Sequence, residues 1–182
     1  MTKYDQLDPR LTQVNVVLTA NVGNRIDCAT IAQHLPNSEY NPRRFAALKH
    51  RLRYQGAAPT FLIYPSGKMV CTGAPTVQVA MDAFQRLFKY VEKVQCLCST
   101  DNIRVENRVA HGKIGKRLNL MKLSHRFAPD AIYESELFPA MKLRLPHGKM
   151  CANLFSSGKF VLTGTTSIAH LNEQCQRLFR IL

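Results

Sequence analysis

The stretch "PSGKMVCTG" at residues 65–73 returns as "SSGKFVLTG" at 156–164, with six of nine positions identical at an offset of 91. The correspondence extends outward. Asn15 of "VNVVLTANV" matches Asn107 of "ENRVAHGKI" at an offset of 92. Tyr40 and Phe45 of "EYNPRRFAALKHRLR" match Tyr133 and Phe138 of "YESELFPAMKLRL" at an offset of 93. Offsets that drift by one or two residues over half a chain mark a duplication, not a short-period solenoid. Whatever the 182 residues fold into must therefore be buildable twice from one plan.

Each copy reads as strand, helix, several strands, helix. "VNVVLTANV" (14–22) is rich in β-branched residues and predicts a strand. Asp27 is placed to cap a helix "CATIAQHL" that stops at Pro36. "FAALKHRLR", "TFLIYP" and "KMVCTG" predict an antiparallel meander, with turns at "YQGAAP" and "PSG". Residues 76–94 and 167–182 carry apolar side chains at helical spacing. The chain divides into an extension (1–12), a first repeat (13–98) and a second (99–182), with the link at 95–102.

Strand alternation then sets a problem. Val16 and Leu18 face one way while Asn15, Val17 and Thr19 face the other. Met69 and Cys71 oppose Val70 and Thr72, and Phe160 and Leu162 oppose Val161 and Thr163. Two long helices cover one face of a joined sheet. The other face is left with Val, Thr and Asn in its middle, a docking surface rather than idle exposure.

Composition narrows the occupant. Lys and Arg number 25 against 12 Asp and Glu, a net charge of +13. Residues 1–98 hold 12 basic and 6 acidic side chains and residues 99–182 hold 13 and 6, so the excess is shared. A polyanion such as nucleic acid fits this balance, and a merely soluble basic surface fits it as well. No apolar run reaches the roughly 18 residues of a membrane-spanning helix, and "MTKYDQLDPR" does not read as a secretory signal. Cys28, Cys71, Cys151 and Cys175 fall among apolar residues and read as core thiols in a reducing compartment. "CLC" at 96–98 is the only close cysteine pair, and nothing beside it completes a metal site. The six histidines form no catalytic arrangement, and "SGK" sits at a strand turn rather than before a helix as in a phosphate-binding loop. No cofactor, metal or enzymatic activity is expected.

The segments "EYNPRRFAA", "SGKMVCTG", "ELFP" and "SGKFVLTG" resemble, in order, the signatures of the TATA-box-binding protein family. The resemblance covers residues 13 to 182. It implies an α+β fold in which two pseudo-symmetric repeats form one curved antiparallel sheet, a saddle with helices on its convex face. It also implies a general initiation factor in the nucleus that binds the minor groove of A/T-rich promoter DNA, bends it and nucleates a preinitiation complex. That family is the type case of the wedge-and-bend mechanism. Implied base contacts are Asn15, Asn107, Thr72 and Thr163 as donors, with Val17, Val70, Val109, Val161 and Leu62 as apolar surface. A·T pairs show only acceptors in that groove, whereas G·C adds an amino donor. Phe45 with Tyr64 and Phe138 with Phe155 stand where the family wedges base steps. Arg51, Arg53, Lys68, Arg144 and Lys159 stand where phosphates would be neutralised. Glu134, Glu136 and Leu137 match the loop that meets the B factor of the initiation complex, and other initiation factors and the RNA polymerase machinery follow as partners. Without DNA the exposed face could pair with a second copy.

The chain also departs from the pattern. Tyr64 stands for Phe, Asn153 for Leu, and His111 and Arg108 enter a strand that is elsewhere small and apolar. Arg108 should turn toward the helices, where it must snorkel or pair. "YQGAAP" is about two residues longer than its family counterpart. These changes raise the alternative of a related factor with weak or altered DNA specificity that acts mainly as a protein-interaction scaffold.

Overall fold

A computed structural model describes residues 6–54, 56–97, 99–146 and 149–182. Cys98 of the "CLC" pair and His147 lie outside the described residues. The first repeat contributes β1 (Leu11–Asn21), α1 (Cys28–His34), β2 (Ser38–Glu39), β3 (Leu48–Arg51), β4 (Thr60–Ile63), β5 (Lys68–Ala74) and α2 (Val77–Val91). The second contributes β6 (Ile103–Lys113), α3 (Leu120–Arg126), β7 (Ala131–Ile132), β8 (Ala140–Arg144), β9 (Cys151–Phe155), β10 (Lys159–Thr165) and α4 (Ile168–Ile181). Strand order among the described residues is β2-β3-β4-β5-β1-β6-β10-β9-β8-β7. By contact density the chain forms two compact units. One is Asn15–Glu106, and the other joins Asn107–Leu182 with the segment up to Val14.

In the Asn15–Glu106 unit, Val16, Leu18, Phe61, Ile63, Met69 and Cys71 are fully buried beneath α1 and α2. Phe84 of α2 meets Phe61 edge-on at 5.0 Å, a favoured aromatic geometry. Burial pushes the Cys71 thiol up to about 12. The helices start where their caps are. The Asp27 carboxylate accepts from the Ala29 and Thr30 amides, and the Thr76 hydroxyl accepts from the Val79 amide.

The other unit repeats this plan with Met141, Leu143, Ala152, Leu154, Phe160 and Leu162 packed beneath Leu171, Cys175 and Leu178 of α4. Asn119 and Ser167 cap α3 and α4. The residues before β1 tie onto α4. Arg10 stands 4.3 Å over the Phe179 ring and bridges Asp8 at 2.7 Å, while the Asp8 amide donates to Asn172 Oδ1. The Arg10 guanidinium holds the Asp8 carboxyl below its usual range.

Two expectations need correction, and one feature is new. The strand expected over "FAALKHRLR" starts at Leu48 and not at Phe45, and its counterpart β8 starts at Ala140, after Phe138. The amides of Arg44 and Phe45 both turn to the Asn41 carbonyl, and those of Leu137 and Phe138 to the Glu134 carbonyl. Amides spent on a turn are lost to a ladder. The edge strands β2 and β7 were not anticipated, because two residues are too short to show alternation. Of the four thiols expected in the core, Cys151 is only half-buried. On β9 the buried positions are Ala152 and Leu154, so Cys151 falls on the opposite side with Asn153 and Phe155.

Candidate nucleic-acid interface

Each unit has one sheet face beneath its helices and one that no described element covers. On β1 the uncovered face holds Asn15, Val17 and Thr19, on β4 Leu62, and on β5 Val70 and Thr72; all are half-buried. In the other unit it holds Asn107 and Val109 of β6, Asn153 and Phe155 of β9, and Val161 and Thr163 of β10. Leu62 lies directly across from Val70, and Asn153 across from Val161.

The two asparagines are fixed by the same device. β5 bulges against β1, where Val16 pairs with Ala74 but Leu18 pairs with Cys71. β10 bulges equally against β6, where Leu162 pairs with Ala110 and Thr165 with Arg108. Each bulge contains a glycine of positive φ, Gly73 at 86° and Gly164 at 101°, a conformation that L side chains rarely take. The freed glycine amides donate to the asparagines, Gly73 N to Asn15 Oδ1 at 2.7 Å and Gly164 N to Asn107 Oδ1 at 2.9 Å. Only an oxygen can accept from an amide N–H, so each carboxamide has one orientation. Its Nδ2 then donates to a threonine hydroxyl, Asn15 to Thr72 at 3.3 Å and Asn107 to Thr163 at 3.0 Å. One N–H of each Nδ2 is left over for a ligand. The bracket presents donors.

Aromatic pairs flank the brackets. Phe45 and Tyr64 stand 6.4 Å apart at 60°, and Phe138 and Phe155 stand 6.4 Å apart at 63°. Phe45 and Phe138 are each 48% exposed, far more than a core aromatic would be. Arg51, Arg53, Lys68, Arg144 and Lys159 are exposed, with Arg51, Lys68, Arg144 and Lys159 on strands of this sheet. Lys49 and Lys142 were missed in the sequence. They pair across the ladder with Leu62 and Asn153 and so share the uncovered face. The buried-exposed alternation of "LKHR" carries that signal.

Just before Phe138, Glu134, Glu136 and Leu137 occupy an exposed turn, with Leu137 80% exposed. Arg108 pairs as expected: its Nε donates to the Thr166 carbonyl at 2.8 Å and its NH1 to Gln13 Oε1 at 2.9 Å. Burial lowers its pKa, as desolvation of a cation must. Among the described residues, no helix is long and apolar enough to cross a membrane.

A doubled bracket flanked by doubled aromatic pairs is specific enough to compare with known proteins. The sequence model described as "Transcription factor TFIID (or TATA-binding protein, TBP)" matches residues 10–94 and again 102–182. The chain belongs to the TATA-binding protein family. It is 34% identical over 178 residues to the TATA-box-binding protein of Tetrahymena thermophila, covering 98% of this chain and 71% of that one. It is 32% identical over 171 residues to that of Saccharomyces cerevisiae, covering 94% and 70%. Against the rat TATA box-binding protein-like 2 it is 36% identical over 184 residues, spanning 100% of this chain but 52% of that one. The solved structure of Methanococcus jannaschii TBP superposes with a TM-score of 0.79 at 29% identity, covering 94% of this chain and 97% of that one. The TATA-binding protein fold is thus shared: two repeats and, among the described residues, an open antiparallel sheet and four helices. A member of the TATA-binding protein family is a transcription factor and not an enzyme.

Proposed function

We propose that this chain is a general initiation factor that docks its uncovered sheet face in the minor groove of A/T-rich promoter DNA, bends the duplex and nucleates a preinitiation complex in the nucleus. The observation that carries this is the repeated Asn–Thr–Gly bracket. It offers donors where an A·T floor offers only the acceptors N3 and O2. Val17, Leu62, Val70, Val109 and Val161 supply the apolar surface around it, against which a guanine amino group is left unpaired. Phe45 with Tyr64 and Phe138 with Phe155 enter base steps at the two ends. Unstacking costs a few kcal/mol per step and is offset by contacts that only the bent duplex allows; TATA-binding proteins are the type case of this balance. Arg51, Arg53, Lys68, Arg144 and Lys159 hold phosphates and make binding salt-dependent. The exposed Glu134, Glu136 and Leu137 turn is the docking point for a B-type initiation factor, through which the polymerase machinery is reached.

Dyes at the two ends of a short TATAAA duplex test the proposal. Their separation should shorten on adding protein at moderate salt, and no shortening at saturating protein overturns it. The scaffold alternative is favoured by one observation: Asn153 interrupts the apolar strip beside Phe155. If that reading holds, the duplex stays straight while a B-type factor still binds.

A further inference from the structure

The uncovered face of the Asn15–Glu106 unit carries two opposite kinds of hydrogen-bonding site. At the bracket, Asn15 Oδ1 is occupied by the Gly73 amide, and Nδ2 and the Thr72 hydroxyl remain to donate. Four residues along β1, on the same side of the strand, the Thr19 hydroxyl donates to Glu106 Oε1 at 2.7 Å. Its only proton is then spent, so the outward lone pairs of Thr19 and the carboxylate of exposed Glu106 present acceptors alone. Glu106 holds no ion pair among the described residues, although Lys68 and Arg104 line the same shallow groove. The facing of Glu106 is set by its neighbours Ile103 and Val105, which pack on this unit's core.

An acceptor-only pair is a poor match for A·T, whose minor-groove edge is itself all acceptors. The single donor on that floor is the guanine 2-amino group. We propose that Glu106, braced by Thr19, reads a guanine amino group, so that this protein prefers one G·C pair within or beside its A/T-rich site. The repeat sharpens the point. At the offset of 92, Glu106 corresponds to Val14 and Thr19 to His111, so the other repeat has no acceptor pair at this place. One end of a pseudo-symmetric site is thereby told from the other.

The inference rests on the minor-groove reading above, and the test separates the two. Fluorescence anisotropy with the full chain measures affinity for a TATAAA-centred duplex and for variants in which each pair in and beside it is replaced by G·C or by inosine·C. Inosine·C has the major-groove edge of G·C without the minor-groove amino group. One position should bind G·C about tenfold tighter than inosine·C, the scale of one good base contact. Glu106→Gln, which offers a donor as well as an acceptor, should erase that ratio while leaving TATAAA bound. Thr19→Val should reduce it. If no position favours G·C over inosine·C, the guanine contact is wrong while minor-groove binding stands. If Glu106→Gln strengthens every duplex equally, the carboxylate merely opposes phosphates and the inference fails. If no duplex is bound, both readings fall.

Discussion

The two repeats agree where backbone geometry is at stake and differ where side chains alone decide. Both place a glycine bulge beside an asparagine, with amide and hydroxyl partners within 3.3 Å, and both set an aromatic pair 6.4 Å apart. Between them, however, Leu62 becomes Asn153, Tyr64 becomes Phe155, and Val14 becomes Glu106. The bulge and bracket need a positive-φ residue and two fixed partners, so few substitutions leave them intact. A side chain that projects from an intact strand can change at the cost of its own contacts alone. Under the proposed function, the brackets would define what the face can read, and the strand positions between them would tune which sequence it reads.

The sharpest way to break the symmetry is to reverse one bracket. In Asn15→Asp or Asn107→Asp a carboxylate oxygen can still take the glycine amide, but the donor becomes an acceptor. Each should weaken binding to an A/T-rich duplex about a hundredfold, near the upper end for one base contact. Equal losses in an anisotropy titration would confirm that the repeats share the reading, and a loss confined to one would assign it to that half.

A smaller effect, opposite in sign, is expected from making the repeats alike. Asn153→Leu restores the apolar strip beside Phe155 and should tighten binding about threefold to tenfold, the worth of roughly one to two buried methylene groups. Tyr64→Phe should act the same way and less strongly, by removing a hydroxyl that the wedge must otherwise satisfy. If neither variant raises affinity or bending, these positions are not what distinguishes the halves.

Lys49→Ala and Lys142→Ala probe the cations on equivalent strands. Each should lower the slope of log affinity against log salt by about one, with little change in sequence preference. Unequal slopes would show that only one half holds a phosphate there.

The subtlest contrast concerns stability. His50 is 2% exposed against the Phe61 ring, and its counterpart at the offset of 93 is the equally buried Leu143. Burial lowers the His50 pKa from 6.5, and its Nε2 has no partner. The unfolded chain therefore binds the proton more readily than the folded one, so stability is unaffected well above pH 6.5 and falls as pH drops below it. A thermal melt between pH 7.5 and 5.5 (chosen to bracket that value) should show this fall. His50→Leu should flatten it relative to wild type.

Much of this was legible before any coordinates. Alternation in "NVVLTA" and "KMVCTG" located the uncovered face, because a strand's period of two is strict. Recurrence of Asn, Thr and Phe at offsets of 91 to 93 singled out the residues that line it. What stayed hidden was non-local. The pairing of each asparagine with a glycine amide depends on a bulge between strands more than fifty residues apart. The place of Phe45 and Phe138 in turns depends on hydrogen bonds that override the β-propensity of segments such as "FAALKH". Glu106 was invisible because counting alternation from Asn107 puts it on the wrong side, whereas packing of Ile103 and Val105 decides its facing.

In the proposed function, this face meets the minor groove through donors that the backbone holds in place. The most direct measurement is the affinity for a duplex whose TATA element is rewritten entirely in inosine·C pairs, which keep the minor-groove acceptors of A·T and change the major-groove edge. Binding within a fewfold of the TATAAA duplex, abolished in the Asn15→Asp, Asn107→Asp double variant, is the predicted result. Tight binding to TATAAA with none to the inosine duplex would place recognition in the major groove and contradict the account.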